Sequence, residues 1–236
     1  RALELSPNSA DAHGWYSHLL VREGRYDEAA EEAGKAIDID PLHPGKRYGA
    51  ALDAIGANRY DVVMQESQRA VGLEPTLTVP YFLLGLANLL GGRPDECLSV
   101  LGDLSPGVRA MCHYSRGDES QAMQLVDSLK STLSSTNTPV NNAEMILYRD
   151  IAMFYAWIGE LDQALDWLER AVSWSHNAVE FRILGSGIFE GALQDQNFRS
   201  GLESIRDLAR NRLLQAVGER LAMERRGQKL VLGGIG

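Results

Sequence analysis

Cysteine is nearly absent: Cys97 and Cys112 are the only two, so the chain can form one disulfide at most and is no cysteine-stapled secreted scaffold. With so few cysteines, a reduced, cytoplasmic setting is the expectation. Prolines number eight and aromatic residues make up 7%, which excludes a Pro-rich or low-complexity chain. The longest apolar runs, such as Tyr81–Leu90, are too short to cross a bilayer. Positive charge is in deficit as well. Twenty-three Lys and Arg stand against 32 Asp and Glu, for a net charge of −9, which disfavours nucleic acid and anionic membrane as partners. What remains is ordinary for a folded chain, 44% hydrophobic and 23% charged.

Catalytic and metal-binding signatures are missing too. Gly185-Ser-Gly187 lacks the lysine of a phosphate loop. His13 and His18 lie five apart and share no zinc-binding helix face. Gly14 and Ser17 form no nucleophile elbow, which needs a preceding strand. Cys97, Cys112 and His113 could converge across two hairpins, but a small cysteine filling a helical seam is the favoured reading. No enzyme, cofactor or metal is therefore expected.

What is present is a period. Ala2-Leu-Glu-Leu-Ser-Pro7, Ala36-Ile-Asp-Ile-Asp-Pro41 and Ala70-Val-Gly-Leu-Glu-Pro75 recur every 34 residues. Gly24-Arg-Tyr-Asp-Glu-Ala29, Asn58-Arg-Tyr-Asp-Val-Val63 and Gly92-Arg-Pro-Asp-Glu-Cys97 keep the same spacing. Glycine suits a sharp turn after the first helix. Ala29, Ala36, Ala70 and Gly85 allow close helix approach, while Tyr16, Leu20, Tyr26 and Ile37 supply the bulk at helical spacing. Asp-Pro and Glu-Pro then end the second helix. Gly117 and Gly159 open a fourth and fifth unit at irregular spacing, 25 and 42 residues on. The first irregularity predicts a shortened helix near Leu104-Ser-Pro106, the second an extended loop over Ser131–Asn142. Arg1-Ala-Leu-Glu-Leu-Ser-Pro7 reads as the last turn of an earlier repeat, so the chain is expected to be the C-terminal piece of a longer protein.

These phrases resemble tetratricopeptide repeats over roughly Arg1–Trp174. More narrowly, Asp150–Ala171 is similar to the last full repeat of the arrays found behind kinase, cyclase or winged-helix domains in bacterial signalling proteins and transcription regulators. Phe189-Glu-Gly-Ala-Leu-Gln-Asp-Gln-Asn-Phe198, with Leu202 following, is similar to their helical cap, although Asn197 stands where that family has proline. The resemblance implies an all-α, right-handed superhelical solenoid of stacked antiparallel hairpins. Residues 1–174 would form the array and 175–236 the capping helices and basic tail.

The resemblance also implies a non-catalytic, regulatory or scaffolding protein-interaction module whose concave face is lined by the first helix of each hairpin. On this chain that phase selects Trp15, His18, Arg22, Tyr48, Leu52, Phe82, Leu86, Leu89, Met111, Tyr114, Arg149, Met153 and Trp157. The lining is apolar and aromatic, suited to a helix or an extended apolar peptide, and only Arg22 and Arg149 could clamp a carboxylate. Three alternatives stand beside this groove: ordinary interhelical packing, occupation by the chain's own C-terminal helix, and an apolar small-molecule effector. That helix carries Leu202, Ile205, Leu208, Leu213, Val217 and Leu221 on one stripe and a basic excess between Arg206 and Lys229. It reads as a solubilising cap, or as the element that pairs two chains into a homodimer.

Overall fold

The computed structural model describes residues 2–133, 142–174, 187–205 and 207, and all regular structure among them is helical. A short α1 (Ala2–Leu5) leads into five antiparallel hairpins. They are α2 (Ala10–Arg22) with α3 (Tyr26–Ile39), α4 (Pro44–Gly56) with α5 (Tyr60–Leu73), α6 (Thr78–Leu90) with α7 (Pro94–Leu101), α8 (Pro106–Ser115) with α9 (Glu119–Ser131), and α10 (Asn142–Trp157) with α11 (Leu161–Trp174). Two single 3₁₀ turns, Gly187–Phe189 and Ala192–Gln194, precede α12 (196–205). Each hairpin packs on the next, and α2, α4, α6, α8 and α10 touch one another in that order. The first helices therefore form one continuous layer, the arrangement of a tetratricopeptide-type solenoid.

The hairpins repeat because their turns repeat. Gly24, Asn58, Gly92, Gly117 and Gly159 all have φ between +56° and +87°. At each turn the next amide reaches back across the helix end, as Arg25 N–H does to Leu20 C=O at 2.9 Å and Arg93 N–H to Asn88 C=O at 2.9 Å. This is a Schellman closure, satisfying carbonyls that the helix end would orphan. At the first three turns the same residue that accepts this role, Arg25, Arg59 or Arg93, directly precedes the second helix, so no slack separates the two helices.

Tight turns require small residues in the seams. Ala29, Ala36 and Ala70 are buried. A Cβ on Gly85 would meet Leu101 at 2.8 Å, and one on Gly107 would meet the Asp150 Cβ at 2.4 Å, so α6–α7 and α8–α10 approach at glycine. The irregular fourth unit follows from a shortened α7, which ends at Leu101, after which Gly102 and Ser105 turn the chain with positive φ before Pro106 restarts it. The predicted loop at 131–142 lies almost wholly outside the described residues.

Cys97 and Cys112 differ from expectation. Rather than two thiols filling seams separately, they are bonded to each other and fully buried, tying α7 to α8. The physical reason is the shortened α7, which brings two cysteines only 15 residues apart into facing positions. At the C-terminal end Phe189 and Phe198 stack with ring centroids 6.2 Å apart. The Asp195 carboxylate accepts the Phe198 amide at 2.8 Å and so caps α12. Phe198, Leu202 and Ile205 are buried, and Gly201 lies against Leu165 of α11, so the described part of the C-terminal helix covers the last hairpin. The basic stretch from Arg206 to Lys229, with its stripe beyond Ile205, lies outside the described residues apart from Asp207, which is exposed.

Candidate functional site: the inner face of the first hairpins

An open concavity of about 530 Å³ lies between α2 and α4 and reaches Val79 at the start of α6. Two buried polar residues line it, Ser17 with no accessible surface and Asp53 at 4% exposure. The Ser17 hydroxyl donates to this carboxylate at 2.6 Å, and the His18 Nδ1–H donates to both of its oxygens at 2.8 Å. A buried carboxylate is tolerated only when its lone pairs are taken up in this way. Because the Ser17 hydroxyl directs its proton to the carboxylate, this Ser–Asp–His group has a different wiring from a nucleophile activated by histidine.

Above the cluster, Trp15 meets the His18 ring edge-on at 5.7 Å and keeps 71% of its surface exposed. Gly49 leaves room for the imidazole, since a Cβ there would just touch its Cε1 at 3.5 Å. Tyr48 is half-buried on the opposite wall. At the rim Lys46 pairs with Asp11, whose carboxyl the ammonium holds below the usual carboxylate range. His43 accepts the Gly45 amide at 3.0 Å and caps α4, fixing the entrance of the second hairpin.

The other sequence-selected residues fall into different surroundings. Leu52, Phe82 and Leu89 are at most 8% exposed, and Leu86, Met111 and Met153 have no accessible surface; all six pack in the main core. The period assigned them to the right helices, but a helix wedged between neighbours is buried around most of its circumference. Tyr114 and Trp157 are half-buried at the far end, where Tyr114 meets Phe154 edge-on and the Trp157 indole N–H donates to Ser115 Oγ at 3.0 Å. Arg149 donates to Asp150 at 2.6 and 3.0 Å and stacks on Phe82 at 4.8 Å, so this guanidinium is already engaged. The Arg22 side chain lies outside the described residues. The structure thus groups Trp15, His18 and Tyr48 in the open concavity, and Leu52 backs it.

Part of the inner layer is occupied by the chain itself. Gly187 sits so close to the Tyr60 hydroxyl that a Cβ would meet it at 2.5 Å, with Leu90 beside it. Burial pushes the Tyr60 phenol up. Ile188 and Phe189 are buried, and their turn packs on α10.

Sequence reasoning did not select Ser17, Asp53, Lys46 or Asp11. A signal existed. Leu19, Asp53 and Ala87 are equivalent by the 34-residue period, so a carboxylate stands at a seam position that is apolar in the neighbouring units. Among the described residues no cluster of three or more His, Cys, Asp or Glu could hold a metal, and no helix is long and apolar enough to cross a membrane.

Comparison with known proteins bears on the fold. The tetratricopeptide repeat model matches residues 10–41, which is the α2–α3 hairpin and the turn after it. No curated protein matches the chain. Among solved structures, one described as Naa15/Naa10 bound to HypK-THB is similar over 97% of this chain at 15% identity and a TM-score of 0.37. This chain covers 39% of the length of that one. The chain is accordingly a tetratricopeptide-type helical solenoid whose first hairpin carries the repeat.

Proposed function

We propose that this array is a non-catalytic protein-interaction module that receives an extended peptide or a helix on the inner face of its first two hairpins. Tetratricopeptide repeats generally mediate protein–protein contact, which sets the class. The observation that carries the finer reading is the half-open concavity walled by Trp15, His18 and Tyr48, where Trp15 is the most exposed of the sequence-selected residues that the structure describes. Large aromatic side chains with open faces are the usual anchors of such contacts. The buried Ser17–Asp53–His18 group holds the floor rigid, while the Lys46–Asp11 pair at the rim can be exchanged for charges on a ligand. In a longer protein, occupancy of this face would serve regulation.

Peptide display against the chain tests the reading. Selected peptides should bind Trp15→Ala and Tyr48→Ala at least about tenfold more weakly, which corresponds to about 1.4 kcal/mol or more. Trp157→Ala, at the far end, should leave their affinity unchanged. Peptides that bind all three variants alike would sink the proposal.

A further inference from the structure

Asp11 and Trp15 stand four residues apart on α2, so both share the helix face that borders the concavity. Trp15 is largely exposed, and among the described residues no cation lies over its indole ring. The Asp11 side chain is 79% exposed, whereas that of its partner Lys46 is 14% exposed. A ligand therefore meets the carboxylate before the ammonium. The surrounding charge points the same way: between Ala10 and Leu73, seven Lys and Arg stand against eleven Asp and Glu. Among the described residues lining the concavity, Asp11 and Asp53 are acidic and Lys46 is basic, beside His18 and His43. Elsewhere the chain joins an aromatic ring and a carboxylate through its own arginine. The Arg149 guanidinium stacks on Phe82 at 4.8 Å while it donates to Asp150 at 2.6 Å. That of Arg170 lies 5.1 Å from the Trp167 centroid and pairs with Asp166 at 2.6 Å. At Asp11 and Trp15 the ring and the carboxylate are both in place, and among the described residues no guanidinium joins them.

We propose that the peptide received on this face presents an arginine, whose guanidinium stacks on Trp15 and donates to Asp11 in place of Lys46. The proposal rests on the peptide reading above and names the anchoring side chain of that ligand. A planar guanidinium engages the indole face and a carboxylate at once, whereas an ammonium acts as a compact point charge. Leu19 and Val79 line the same concavity and offer apolar surface to the residue beside the arginine. The acidic excess of the first two hairpins draws such a peptide in, so salt slows its association.

The test takes the display-selected peptides and measures their affinity for wild type, Asp11→Asn and Lys46→Met by fluorescence anisotropy. Methionine keeps the covered stem of Lys46, and Asp11 is exposed, so thermal melts of both variants should stay near wild type. Peptides that need Trp15 and Tyr48 should carry an arginine. Asp11→Asn should weaken the arginine peptide about tenfold and leave its Arg-to-Gln version unchanged, as expected of a direct pair. Lys46→Met should strengthen the arginine peptide several-fold, because the competing ammonium is gone. The opposite pattern, a gain with Asp11→Asn and a loss with Lys46→Met, would assign the site to an acidic side chain and overturn the proposal. So would selected peptides that lack arginine, or affinities that neither variant moves. In each of these cases, weaker binding to Trp15→Ala and Tyr48→Ala would leave the peptide reading standing. Peptides blind to both of those variants, or no selected peptide at all, would sink that reading and this proposal with it.

Discussion

The hydroxyl of Ser17 in α2 donates a 2.6 Å hydrogen bond to the carboxylate of Asp53 in α4, and both residues are buried. The bond joins consecutive hairpins through their first helices, so it fixes the register of one repeat on the next. Replacing Asp53 by Ala removes that acceptor from the fully buried Ser17 hydroxyl and from the partly exposed His18 imidazole. The cost should be about 2 kcal/mol in urea unfolding, since an orphaned buried donor loses its full desolvation term. Asp53→Asn keeps an acceptor and should cost less. Equal midpoints for Asp53→Ala and wild type would show that the bond contributes nothing net.

The turn position should discriminate by backbone, not by space. At Gly92 an added Cβ meets nothing within 4 Å, yet φ is +72°. Gly92→Ala should therefore destabilise by about 1–2 kcal/mol through the left-handed conformation alone. Asn58 already holds φ at +56° as a side-chain-bearing residue, because asparagine tolerates this region. Asn58→Ala should cost a similar amount to Gly92→Ala, and Asn58→Gly should be near neutral. Thermal melting of the three variants measures the order.

Reduction should weaken the array at its middle. The Cys97–Cys112 bond closes a loop spanning 15 residues, for which loop entropy gives about 3 kcal/mol. Dithiothreitol, or Cys97→Ser with Cys112→Ser, should lower the unfolding free energy by that amount, while Trp15 and the first hairpin keep their signal longest. Protein purified under non-reducing conditions should show no free thiol by titration. Such bonds persist chiefly in oxidising compartments, so two free thiols in native protein would instead support the cytoplasmic expectation.

Acid should loosen the first hairpin through Glu32. Burial alone would push its carboxyl up, but hydrogen bonds from Lys35 at 2.6 Å and His13 at 2.5 Å outweigh burial and hold it below the ordinary carboxylate range. The unfolded chain then binds this proton more readily than the folded one. Stability from Glu32 is therefore present above its unfolded value, near pH 4, and is lost as pH falls through its lower folded value. Between roughly pH 5 and pH 2 the urea midpoint of Glu32→Gln should fall less steeply than that of wild type. Parallel pH curves would refute the assignment.

How much of this was legible in the sequence depends on the range of each interaction. Recurrence of Ala…Pro every 34 residues, and of Gly24, Asn58 and Gly92 between them, is local information: a positive-φ closure and a proline stop act on the few residues around them. The sequence by itself therefore determined the hairpins, their order and the helices that form the inner layer. The likeness of Phe189–Phe198 to the cap of such arrays came from the resemblance and not from the period. Which face of each helix stays open was decided only in three dimensions. Trp15 and Met111 both stand on first helices, yet one is bare and the other sealed, because exposure depends on how many neighbours a helix has. The same holds for the two side chains whose chemistry changed most. Cys97 and Cys112 meet only because α7 is short, and Asp53 is tolerable only because Ser17 and His18 of another hairpin reach it. Pairing across a seam depends on the position of residues far apart in the chain, which no 34-residue pattern records.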